Sequence, residues 1–158
     1  MIKKTMTYYD FDGKLRTESA YFGYTPAEIM EQELETEEGL VNKLESLINS
    51  GDDPELMKRF RELILDTYGE KTPDGRHFFK SPELSAKFKA TPMYSEIYME
   101  LITQPDKAVE FIKGIMPAER TEEEKAAMAK TNYERVSDEI REQNIVPMPS
   151  QPVINSAD

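Results

Sequence analysis

The stretch PELMKRFRELILDTY, residues 54–68, sets Leu56, Phe60, Leu63 and Ile64 three and four positions apart, with Tyr68 continuing the stripe. That period predicts an amphipathic helix. Asp53 and Pro54 predict its start, and Gly69 its end. Similar punctuation recurs along the chain. TPAE at 25–28 is a capping box, opening a helix that carries Ile29, Met30 and Leu34 among glutamates. Another helix is expected after Glu37–Gly39 from Leu40, Leu44, Leu47 and Ile48, and SGDDPE at 50–55 stops it. Three further short helices open on proline, at SPE 81–83, TPM 91–93 and QPD 104–106. A proline lacks the N–H that the first helical turn would leave unpaired in any case. Their stripes are Leu84 and Phe88; Met93, Tyr94, Ile97, Tyr98, Leu101 and Ile102; and Val109, Ile112, Ile115 and Met116. Helices this short need tertiary packing to persist.

The period changes in the first 22 residues. KTMTYY and KLRTESAYF, rich in Thr, Tyr and Phe, flank DFDG and predict a β-hairpin with a two-residue type I′ turn. Alternation here is imperfect and does not say which face is buried. EKTPDGRHFF, residues 70–79, reads as a loop with a PDG turn. Beyond Pro117, TEEEKAAMAKTNYERVSDEIREQ carries one narrow seam of Ala126, Ala129, Tyr133, Val136 and Ile140. A seam this thin must pack back on the domain or meet a partner. The last residues hold three prolines and no period. The fold class expected is α+β and mostly helical, an N-terminal β-hairpin packed on a bundle of short helices. Residues 1–118 form the hairpin-plus-helices domain, 119–143 an appended amphipathic helix, and 144–158 an extended or disordered tail.

Composition narrows the function. The 158 residues include 20 Lys and Arg against 31 Asp and Glu, a formal net charge of −11. A field of that sign repels phosphate backbones, so neither nucleic acid nor an anionic membrane is an expected partner. The chain has no cysteine, which excludes disulfide and thiolate chemistry. MIKKTMTYYD has no apolar run behind its lysines, so no secretory signal is expected. No window approaches the ~20 apolar residues of a membrane span.

Chemistry is sparse. His77 is the single histidine, and Ser81, four residues on, precedes Pro82 and Glu83 as a helix cap would. DFDG resembles the start of a calcium loop but lacks the later ligands. The six glutamates between Glu28 and Glu38 suit a solvated face or a contact with a basic partner. Phosphate-binding glycine loops and nucleophile elbows are absent from the sequence. No catalytic, cofactor-binding or metal residues are expected. The rings of Phe78, Phe79, Phe88, Tyr94 and Tyr98, with Met99, serve either as core or as a groove for an amphipathic helix.

The order YFGYTPAEIMEQEL, ELILDTYGEKTPDGRHFFKSPELSAKF and YSEIYMELITQPDKAVEFIKGIMP, ending in IMPAE at 115–119, resembles the tail assembly chaperones of long-tailed phages (siphovirus type) of Gram-positive bacteria. The resemblance spans residues 1–118. It implies a non-enzymatic protein of the host cytoplasm, absent from the mature virion, that binds the tape measure protein and keeps it soluble. The tail tube protein and further copies of the chain are secondary partners, and no cofactor is implied. The partner-binding residues expected are Phe78, Phe79, Phe88, Tyr94, Tyr98 and Met99, with Tyr133, Val136 and Ile140 from the appended helix. Two other classes fit an acidic helical protein: a phage structural or head–tail connector protein, and an acidic DNA-mimic inhibitor.

Overall fold

The computed structural model describes residues 1–35, 42, 46 and 54–131. The stripe Leu40, Leu44, Leu47 and Ile48 of the expected helix, the seam residues Tyr133, Val136 and Ile140, and the tail 144–158 lie outside the described residues, while residues 42 and 46 are helical. The chain divides into two units between Ala118 and Glu119.

The first unit is α+β and mostly helical. Strands β1 (Ile2–Tyr9) and β2 (Leu15–Phe22) pair antiparallel without a bulge, from Ile2 opposite Phe22 to Tyr9 opposite Leu15. Their connection is not the expected two-residue turn. The Gly13 N–H donates to the Asp10 carbonyl at 2.9 Å, the Asp10 N–H to the Lys14 carbonyl at 2.9 Å, and only Gly13 has positive φ, at 74°. That is a three-residue loop in which glycine alone takes the left-handed position. The Asp10 carboxylate accepts from the N–H groups of Asp12 and Lys14 and from Arg16 Nε. The Arg16 bond, with those backbone donors, holds its carboxyl below the usual range. A carboxylate so committed organises a turn, as DFDG required.

Helices α1 (Pro26–Glu35), α2 (Pro54–Thr67), α3 (Pro82–Lys89), α4 (Pro92–Thr103) and α5 (Pro105–Ile115) all begin at proline. Ser81 accepts from the Leu84 N–H and Thr91 from the Tyr94 N–H. Thr25 and Glu28 cap each other, the Thr25 N–H reaching Glu28 Oε2 at 2.7 Å.

The region beyond α2 departs from expectation. The helix ends at Thr67, and Tyr68–Lys71 form β3, which pairs with β4 (Phe78–Phe79) across the PDG turn. Tyr21 faces Gly69 and Phe22 faces Tyr68, so the expected loop is a second hairpin completing a four-stranded sheet of order β1-β2-β3-β4. Gly69 is therefore no helix terminator. A Cβ there would lie 2.6 Å from Phe78 Cζ and 2.7 Å from the Phe79 carbonyl oxygen. The glycine is required by close approach of β4.

On β1, Ile2, Met6 and Tyr8 face the helical layer, while Lys3, Thr5, Thr7 and Tyr9 are exposed on the other side. The core centres on Phe22, whose ring lies 5.8 Å from Tyr68, 5.6 Å from Phe88 and 5.3 Å from Phe111. Ile64, Ile97, Leu101 and Ile115 fill the space around it. Phe111 is fully buried although the stripe read from the sequence passed it by. After β2 the chain is tied to two helix ends, the Gly23 N–H to the Thr67 carbonyl and the Tyr24 N–H to the Ile115 carbonyl. Ile29 packs on the core, whereas Met30 and Leu34 stand exposed.

In the second unit residues 122–131 are helical. Thr121 and Glu124 form a capping box, and Lys125 pairs with Glu122 at 2.8 Å.

Candidate functional site

Along α4, Met93, Ile97 and Leu101 are buried and define the inward line. Tyr94 and Tyr98, four apart, lie on the flank of that line, and their rings stack at 6.0 Å with a 12° interplanar angle. The Tyr98 hydroxyl donates to the Met57 carbonyl of α2 at 3.3 Å. Phe88 meets Tyr94 edge-on at 5.7 Å and stacks flat on Tyr68 at 4.1 Å. A continuous run of rings thus leads from Phe22 in the core through Tyr68 and Phe88 to the half-buried Tyr94–Tyr98 pair. Burial raises the Tyr94 hydroxyl above its usual pKa; Tyr98 adds to the rise and Arg61 of α2 opposes it. The line between α2 and α4 is therefore edged by Met57, Arg61, Tyr94 and Tyr98. Each tyrosine presents a flat apolar face and a polar tip, the chemistry of interface rings.

The other expected residues are placed differently. Phe88 is 4 % exposed and belongs to the core floor beneath the pair. Phe78 and Phe79 are consecutive in β4 and point to opposite faces. Phe78 is half-buried over Gly69, while Phe79 is exposed and stacked on His77 at 5.7 Å. Met99 is exposed, two residues from Ile97 and so about 200° around α4 from the inward line. Met57 and Arg61 were missed. Their signal was an apolar residue beside the α2 stripe with a cation four positions on.

His77 is exposed, and Ser81 is the N-cap of α3. Among the described residues, no group of three His, Asp or Glu side chains is placed to hold a metal ion. No helix among the described residues is long and apolar enough to cross a membrane.

A separate polar junction forms around Lys80 and Tyr24. Lys80 Nζ donates to the Gly23 carbonyl at 3.0 Å, pairs with Glu28 Oε1 at 2.5 Å and lies 4.9 Å over the Tyr24 ring. Tyr24 in turn donates to Asp66 Oδ2 at 2.6 Å, which also accepts from Gln32 Nε2. Burial, then the Asp66 bond, pushes the Tyr24 hydroxyl far above its usual pKa. These contacts join α1 to α2 and to the start of α3.

Compared with known proteins, the chain matches the family model described as phage tail assembly chaperone over residues 1–157. The match extends beyond residue 118, through the second unit. No curated protein and no solved structure matches the chain.

Proposed function

Because the chain belongs to the phage tail assembly chaperones, we propose that it binds the tape measure protein of a long-tailed phage and holds it soluble in the host cytoplasm. The observation that carries the choice of surface is the stacked, half-buried Tyr94–Tyr98 pair bordered by Met57. Rigid aromatic faces offer contact area at little cost in side-chain entropy, and methionine adapts to varied partners. An amphipathic helix of the tape measure protein would lay its apolar face along the line between α2 and α4. The net charge of −11 then keeps the loaded complex apart from its neighbours. Holding is stoichiometric and uses no nucleotide. The tape measure chain is handed over as tail tube subunits assemble around it, and the chaperone is left out of the particle. The predicted seam of Tyr133, Val136 and Ile140 supplies a second contact.

The test is co-expression with the tape measure protein followed by capture. Soluble, captured product is expected. Tyr94→Ala with Tyr98→Ala should reduce capture by at least about tenfold, the loss of one interface hot spot, with the circular dichroism spectrum unchanged. His77→Ala should capture as the unaltered chain does. Removal of residues 119–158 should weaken capture without abolishing it. Failure to capture, or the chain present in purified virions by mass spectrometry, would overturn the reading, the latter in favour of a connector protein.

A further inference from the structure

The outer edge of β1 carries an observation that chaperone function does not use. The strand is eight residues long, terminates the sheet order, has no bulge, and contains no proline. Among the described residues no strand lies beyond it. Natural edges of this length are usually blunted by proline, a bulge or an inward charge. The one inward charge here, Lys4, is drawn under the sheet to Glu100 of α4.

The turn fixes which backbone groups are free. Since the Asp10 N–H bonds to Lys14, alternation directs the N–H and C=O groups of Tyr8, Met6, Lys4 and Ile2 toward β2. Those of Lys3, Thr5, Thr7 and Tyr9 point away from it. We propose that two copies of this chain pair antiparallel along these edges, about a two-fold axis at Met6, into one continuous sheet.

This register follows from the strand's own sequence. Lys3 falls opposite Tyr9 of the second copy, Thr5 opposite Thr7, and Met6 opposite Met6. Each of the four outward-facing pairs exchanges two ladder hydrogen bonds. Side chains stay on matching faces: Ile2, Met6 and Tyr8 remain on the helical side, and the threonines extend the hydroxyl ladder of Thr5 with Ser19 and Thr7 with Thr17. Lys3 meets an aromatic ring, as Lys71 already does over Tyr21 at 5.1 Å on β3 and β2. The two Lys3 side chains sit six residues apart, about 20 Å, beyond the ~8–10 Å screening length. A parallel pairing would set Lys3 against Lys3. The net charge of −11 is not concentrated here, because IKKTMTYY contains no carboxylate.

Sedimentation equilibrium of the full chain between about 1 and about 100 µM tests the proposal, a range that brackets micromolar self-affinity. A dimer is expected. Thr5→Pro removes an outward N–H together with the hydroxyl shared with Ser19, leaves the β1–β2 backbone ladder intact, and should raise the dissociation constant at least about tenfold. Thr5→Val, which keeps the N–H, should not. Tyr9→Lys, at an exposed site, sets cations opposite each other and should also weaken the dimer; adding Lys3→Glu should restore it. A monomer at every concentration overturns the proposal, including one whose edge is filled only when another protein is captured. So does a dimer indifferent to Thr5→Pro and Tyr9→Lys.

Discussion

Replacing Lys80 by methionine isolates the junction that ties α1 to the sheet. Methionine keeps the apolar stem, so the loss is confined to the charged head. Three contacts go. The hydrogen bond from the ammonium to the Gly23 carbonyl, 3.0 Å long, is of a class worth ~1.5–3 kcal/mol. The Tyr24 ring 4.9 Å below contributes ~0.5–1 kcal/mol. The Glu28 pair, whose carboxylate side is 30 % exposed, adds ~1 kcal/mol at most, because water screens it. Contacts made by one group do not sum, and a net loss of about 2–3 kcal/mol is expected. With a urea dependence of ~1–3 kcal/mol per molar, the unfolding midpoint should fall by about 1–2 M, read by far-ultraviolet circular dichroism. Glu28→Gln should cost about 1 kcal/mol or less, and the double variant should lose less than the sum. A change below about 0.5 kcal/mol for Lys80→Met, the level of an ordinary surface substitution, would mean that Lys80 does not hold α1 to the sheet.

Acid should act through the same junction. Burial alone would raise the Glu28 carboxyl, but the bonds from Lys80 and from the Thr25 N–H outweigh it and leave it below its ordinary 4.5. A lowered carboxyl stabilises above that value and loses its contribution as pH falls through the folded one. Glu28→Gln should therefore flatten the decline in urea midpoint measured below pH 4.5. Gly69→Ala would drive a Cβ to within 2.7 Å of the Phe79 carbonyl oxygen, and thermal unfolding should report a loss of about 2–3 kcal/mol. Gly13→Ala meets nothing within 4 Å but sits at φ 74°, so only about 1 kcal/mol should be lost. Phe111→Ala, at the centre of the ring cluster, should cost ~3–5 kcal/mol by urea titration.

How far the sequence was legible can be judged at particular residues. Thr25 with Glu28, Ser81 and Thr91 announced their helices correctly, because a cap and a proline act within one turn of chain. Tyr68 and Gly69 misled, the first by continuing the helical stripe and the second by looking like its terminator, since both pair with Phe22 and Tyr21, about 46–48 residues away. The candidate site divides similarly. Tyr94 and Tyr98 were readable as one side of α4, four residues apart. Met57 and Arg61 opposite them were not, because nothing local to α2 says which helix it faces. Phe78 and Phe79 were grouped with the tyrosines by proximity in sequence, and the pleat of β4 sends them to opposite faces.

Helix starts, the hairpin at DFDG, the mostly helical α+β class and the excess of negative charge are all written along the chain. The family membership agrees with a succession of segments visible in one dimension. Tertiary structure alone decided that the second glycine turn closes two more strands, that Phe111 completes the core, and that β1 ends the sheet with its odd-numbered backbone groups facing outward. The division has one physical cause. Caps, turns and periodicity are energies settled between residues a few positions apart, whereas strand partners and packed rings are settled between segments that meet only once the chain has folded.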